Sequence, residues 1–173
     1  MRVLADGRLK LTALLTSPAD PDKPKASELN AAGAIDLSCK VLQDNFTFGA
    51  TDSDKVSEKA LCDTGNSNAL GASNAQAGFT LWRQFADTGG GFDTVGDAAF
   101  QAVKDKGTTI WLYGRLTDKL ATEPWAADDE IFFGAEVLTD SPQRTEGGGF
   151  IKYRIPCEVQ RSYPFIKAYT TTP

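Results

Sequence analysis

The densest group of side chains able to do acid–base chemistry is Asp128-Asp129-Glu130. Two carboxylates that face one substrate can hydrolyse a glycosidic bond, one acting as acid and the other as base or nucleophile. Neighbouring residues of an extended chain point in opposite directions, so this run makes no facing pair and reads as a solvated turn before a strand. Gly89-Gly90-Gly91 lacks the lysine and the framing strand and helix of a phosphate loop, and reads as a turn or hinge. Histidine is absent, which removes Ser-His-Asp and Cys-His catalysis together with the commonest transition-metal ligand. The 3 cysteines, Cys39, Cys62 and Cys157, are widely spaced with no Cys-x-x-Cys pair, so they read as reduced thiols, mostly in the core. Trp82 and Trp111 sit inside strand patterns and read as packing residues. Trp125 follows Glu123-Pro124 in a polar connection and is expected to be exposed or docked against a partner. No catalytic residue, cofactor or metal site is expected, and the chain reads as a non-enzyme.

The elements that would position these groups belong to a chain of 173 residues, a length that suits one domain with its own core. A net charge of −5 argues against a protein that grips nucleic acid by its phosphates. No stretch approaches the roughly 20 apolar residues of a membrane span, and the first residues lack the apolar run of a signal peptide. The expectation is a soluble protein made in a cytoplasm.

Alternation dominates the hydrophobic pattern. Asp6-Gly7 marks a turn or short hairpin beside Leu9, Leu11, Leu14 and Leu15. Pro18, Pro21 and Pro24 then favour an extended segment over 17–34, able to span about 60 Å when fully drawn out. It reads as a surface loop or as an arm lying on a neighbouring molecule. Ile35, Leu37, Cys39 and Val41 alternate with polar residues as a half-buried strand, and Phe46 and Phe48 mark a second. Residues 51–76 are rich in Asp, Ser, Asn, Gly and Ala, and form either a long hairpin arm or a mobile loop. A strand over 79–85 precedes one helix over 94–106, whose Ala99, Phe100 and Val103 share a face. Three strands close the chain, at 109–113, 130–138 and 151–160, with a loop at 141–149. The fold class is mainly β, a sandwich or barrel with one flanking helix and extended arms, in a single domain over 1–173. Phe132 and Leu138 share a face with Glu130 and Glu136, a mixture that fits a sheet partly covered by another subunit.

Several segments, in order, resemble the major tail tube protein of siphophages that infect actinobacteria. They are the run from Pro24 to Lys40 with its Glu28-Leu29-Asn30 and Asp36-Leu37-Ser38-Cys39, then Asp44-Asn45-Phe46, Leu61-Cys62, the helix before Ile110-Trp111-Leu112-Tyr113, and Ile155-Pro156-Cys157-Glu158-Val159. The resemblance implies a subunit that closes into hexameric rings, stacked through arms and loops around the tape measure protein and later around passing double-stranded DNA. It implies further partners in the tail terminator and tail tip proteins, assembly in the host cytoplasm, a place in the virion tail, and no membrane. Glu28, Leu29, Phe46, Phe48, Trp125 and Phe132 are the candidate inter-subunit contacts. Glu130, Glu136, Lys152, Arg154 and Glu158 are the candidate lumen-facing residues, with one net negative charge among them. A β-sandwich binding or decoration module, for carbohydrate or capsid, is the alternative reading from a different class.

Overall fold

A computed structural model describes residues 2–145 and 147–170; Met1 and Glu146 of the 141–149 loop lie outside them. The chain runs β1 (Leu9–Leu14), α1 (Ala26–Leu29), β2 (Ile35–Asp36), β3 (Thr47–Thr51), β4 (Lys55–Glu58), β5 (Ser67–Leu70), β6 (Asn74–Trp82), α2 (Ala98–Val103), β7 (Thr109–Leu116), β8 (Glu130–Thr139), β9 (Gln143–Arg144) and β10 (Lys152–Lys167). An 8-stranded sheet follows the order β2-β1-β7-β8-β10-β6-β3, with β9 paired to β10, and β4 and β5 form a separate 2-stranded ribbon. The pairings are antiparallel throughout. The protein is mainly β, with 42% strand and 6% helix.

The sheet is rolled. Three strand spacings separate β3 from β8, about 14 Å in a flat sheet, yet the rings of Phe48 and Phe133 lie 5.0 Å apart, edge to face. The short path from β2 to β3 ties the two edges of the sheet together: Leu37 N–H donates to Leu11 O (2.8 Å), and Leu42 N–H donates to Thr80 O (2.9 Å). Inside the roll one cluster gathers Leu11 and Ala13 of β1, Phe79 and Leu81 of β6, Ile110 and Leu112 of β7, Val137 of β8, and Ile155 of β10. A Cβ at Gly114 would stand 2.6 Å from the Phe132 ring, so glycine there is what lets this aromatic ring lie against β7.

Alternation over 35–41 stops after two residues of strand. The Asp36 carboxylate accepts the Ser38 amide (2.9 Å), and Lys40 and Val41 N–H turn back to Leu37 O. This local bonding competes with the ladder. Leu37 stays in the core while Cys39 is swung out to solvent, which corrects the expectation of a buried Cys39. Cys62 is also exposed, and only Cys157 is a core thiol.

The helix is shorter than its periodicity predicts. Asp93 holds the Val95 and Gly96 amides in a tight turn, and the Asp97 carboxylate is drawn to Arg83 and to the Gln84 amide. At the other end Gly107, with φ +82, donates its N–H to Thr139 O and delivers the chain to β7. The face formed by Ala99, Phe100 and Val103 does pack into the core.

The segment 17–34 folds back on its own chain. Pro18, Pro24, Ala26 and Leu29 are buried, Tyr113 Oη donates to Pro21 O (3.0 Å), and Ala26 N–H and Tyr169 N–H bond to Tyr169 O and Pro24 O. It thereby covers a second cluster on the outer side of the sheet, built from Leu14, Leu29, Tyr113, Trp125, Ile131 and Ala168.

Candidate assembly surfaces

Three features of the surface have no partner within the described residues. The first is the ribbon of β4 and β5. Asp54 closes its base with two backbone bonds, accepting Gly71 N–H (2.7 Å) and donating its own N–H to Ala72 O (2.9 Å), and every residue of both strands is exposed. Its outer end is a turn in which Asp63 N–H donates to Ala60 O and the Asp63 carboxylate accepts Ala60 N–H. Leu61 and Cys62 occupy the two central positions, where turns exposed to water favour Pro, Asp, Asn, Ser or Gly.

The second feature is a pair of open strand edges. β10 bonds to β6 over Lys152–Cys157 and to β8 over Cys157–Lys167, so its second half has a partner on one side alone among the described residues. β3 likewise pairs with β6 and, among the same residues, leaves its other edge free. Unpaired N–H and C=O groups in such rows are templates for another chain.

The third is an apolar cleft of about 650 Å3 at one end of the roll, lined by Leu9, Val41, Leu42, Phe46, Trp82 and Leu116 among others. Among the described residues its only ionisable carboxylate is Asp6, and Cys39 stands on its wall.

The residues singled out in the sequence fall unevenly on these surfaces. Trp125 is only 3% exposed, and its Nε1–H donates to Thr12 Oγ1 at 2.9 Å, so the polar connection that carries it is folded inward. Leu29 is equally buried, and the Glu28 carboxylate is engaged by the Lys25 and Ala19 amides. Trp125 and Leu29 are thus buried within the subunit and Glu28 is half-buried; the burial of Trp125 corrects the expectation that its polar connection leaves it exposed. Phe46, Phe48 and Phe132 form a half-buried aromatic group, with Phe48 to Phe132 at 6.1 Å edge to face. Phe132 packs with Phe133 in the same core cluster and departs from the simple alternation that would place it beside Glu136. The irregularity coincides with Phe165 on β10, held at φ +52.

Glu130 and Glu158 are exposed, Glu136 and Lys152 are half-buried, and Arg154 donates to Asn45 O (3.1 Å). A bulge between Val159 and Arg161 sets Arg161 directly opposite Glu136. Sequence reasoning missed Arg161 because a bulge shifts the face of every later residue in the strand.

Asp129 is the other omission. Arg115 reaches it at 2.7 Å with both side chains buried, Lys119 joins from the rim, and Arg115 also donates to Leu120, Glu123 and Pro124 carbonyls. The acidic run is therefore no wholly solvated turn: Asp129 ties down the 117–129 connection from inside. The positive φ of Asp128, +64, marks the sharp bend that separates the neighbouring carboxylates. Among the described residues no cluster of three or more His, Cys, Asp or Glu could hold a metal ion, and no helix is long and apolar enough to cross a membrane.

The rolled antiparallel sheet thus leaves free edges, a projecting ribbon and an apolar cleft without partners among the described residues. Comparison with protein families gives a match to the phage tail tube protein over residues 1–168. The chain belongs to the phage tail tube protein family. Among curated proteins no match is found. The tail tube family is a structural one, a component of the virion tail that self-assembles into a tube.

Proposed function

We propose that this tail tube protein is the repeating subunit of a siphophage tail, closing into hexameric rings that stack around a lumen. The lumen holds the tape measure protein before infection and conducts double-stranded DNA afterwards, and the tube ends on tail terminator and tail tip proteins. Assembly takes place in the host cytoplasm, and the sequence resemblance favours an actinobacterial host. The observation that carries the reading is the open edge of β10 beyond Cys157 together with that of β3. Ring closure pairs such edges and removes a row of unpaired backbone groups from water. Head-to-tail contacts close when the rotation allows it, and a ring with two unlike faces can then stack without limit.

In this assembly β8 and β10 contribute to the inner wall through Glu130, Glu136, Glu158, Lys152 and Arg154. Negative-stain microscopy of the purified protein at high concentration tests the reading. Rings or tubes of constant diameter are the expected result. A monomer that persists at every concentration would instead favour a binding or decoration module.

A further inference from the structure

The open edge of β10 ends against its own chain. Ala168 bonds on the β8 side, donating its N–H to Asp129 O (3.0 Å) and accepting Asp128 N–H (2.8 Å). Successive residues of an extended strand direct their backbone groups to opposite sides, so Tyr169 presents its N–H and C=O on the side away from β8. Both are taken there. Tyr169 N–H donates to Pro24 O (2.9 Å) and Ala26 N–H donates to Tyr169 O (2.7 Å), a parallel bridge centred on Lys25. β6 occupies the same side of β10 as far as Cys157. Residues 158–167 are thus a window about 30 Å long, closed by β6 at one end and by the 24–26 segment at the other, with no partner in it among the described residues.

The segment that closes the window offers no edge of its own. Pro24 has no N–H to donate. Lys25 turns its backbone away from Tyr169, and both of its groups are satisfied within the segment. Its N–H donates to Glu28 Oε2 (2.9 Å), and its C=O accepts Glu28 N–H (3.0 Å) and Leu29 N–H (3.1 Å). An added strand therefore finds nothing to bond to beyond this point. Inside the window the bulge between Val159 and Arg161, the missing N–H of Pro164 and the positive φ of Phe165 interrupt the regular row that a strand of arbitrary sequence would need. We propose that Pro24–Ala26 is an edge guard, which confines strand addition on β10 to residues 158–167 and keeps free subunits from joining edge to edge in the wrong register. The inference rests on the tube reading above for the window's occupant, a strand of a second copy, and the guard sets where that strand stops.

Ala26→Pro tests the guard. It deletes the N–H that holds Tyr169 O, at the first residue of α1, where a missing N–H and a fixed φ are tolerated. Lys25 already has the extended ψ, 141°, that a residue before proline adopts. Ala26→Gly keeps the N–H and controls for lost packing. In the isolated subunit the Tyr169 amide should exchange with deuterium at least tenfold faster in Ala26→Pro than in wild type or Ala26→Gly. Ala26→Pro should also form irregular aggregates that bind thioflavin T, at concentrations at least tenfold below those at which the other two proteins do. Glu28→Ala, at a half-buried side chain, uncovers the Lys25 N–H and should lower the same concentration, which decides the matter if Ala26→Pro does not fold. A wild-type Tyr169 amide that exchanges at the free-peptide rate, or folded variants that associate just as wild type does, would overturn the guard and leave the tube reading intact. Wild-type protein with a protected Tyr169 amide that forms no ring or tube at any concentration would count against the tube reading and leave the guard standing.

Discussion

Arg115 Nη1 and the Asp129 carboxylate stand 2.7 Å apart in the interior of the subunit, the arginine with no exposed side-chain surface. The guanidinium also lies over the Trp125 ring, 5.3 Å from its centroid, so one cation joins β7, the 117–129 connection and the cluster beneath the 17–34 segment. A buried ion pair adds little over a well-packed apolar one, but removal of a single partner leaves an uncompensated charge.

Asp129→Ala should therefore lower stability by about 3–5 kcal/mol at neutral pH. Burial pushes the Asp129 carboxyl up, but bonds from Lys119, the Ala126 amide and Arg115 outweigh it and hold the group below the usual carboxylate range. A carboxyl with a depressed folded pKa contributes stability that is present above its unfolded value, about 3.9, and is lost as pH falls through the folded value. Urea midpoints measured from pH 7 to pH 2 should fall steeply below about pH 4 in the wild type, and less steeply in Asp129→Asn. Parallel acid limbs in the two proteins would exclude Asp129 as a source of the acid sensitivity.

Phe100 is the largest side chain that α2 puts into the core; its ring lies 5.5 Å from Tyr153 and 4.1 Å from the Arg83 guanidinium. A helix of six residues is too short to hold itself together and depends on such packing. Phe100→Ala should cost on the order of 3–5 kcal/mol in chemical denaturation. A midpoint that scarcely moves would detach α2 from the core.

Native thiol labelling should modify Cys39 and Cys62 rapidly and leave Cys157 untouched until denaturant is added. Cys157 is buried in the main cluster, and burial pushes its thiol up to about 12, which suppresses the reactive thiolate at neutral pH. Limited proteolysis of the isolated subunit should cut within 59–66 at the ribbon tip and spare 17–34, which is pinned to Tyr169 and Tyr113. Cleavage within 17–34 at the same rate would show that this packing opens readily in solution.

Much of this was legible from apolar pattern: β8 and the first half of β10 fall where their apolar residues alternate, β7 begins at the dense apolar run over 109–113, and Ala99, Phe100 and Val103 face the core as their spacing requires. The errors share one cause, polar groups satisfied by partners distant in sequence or by local turns. Trp125 bonds to Thr12, 113 positions away, and Asp129 is paired with Arg115 across the end of a strand, so their polar surroundings in sequence said nothing of their burial. Cys39 was misplaced because Asp36 and Ser38 exchange bonds that end the strand beneath an intact apolar pattern. The ribbon over 55–70 was legible as one of two readings, and its apolar turn at Leu61-Cys62 was the signal that could have decided between them.

The proposed inner wall predicts how the tube treats its cargo. Glu130, Glu136 and Glu158 are balanced in this strip by Lys152, Arg154 and Arg161, the last brought opposite Glu136 by the bulge in β10. A wall with no net charge lets a polyanion slide, because few condensed counterions are released on contact and binding stays weak. Glu136→Lys with Glu158→Lys changes the strip by four positive charges per subunit, and a narrow channel focuses the field that a ring of such subunits creates. The lysine introduced by Glu136→Lys would also face Arg161, but like charges paired across strands cost up to about 1 kcal/mol, too little to unfold the domain. The double variant should assemble into tubes of normal diameter and eject DNA more slowly, with the delay shortened as salt is raised. Real-time ejection from purified particles at two salt concentrations reads this directly. Ejection as fast as wild type at low salt would remove this strip of β8 and β10 from the lumen and leave the tube itself in place.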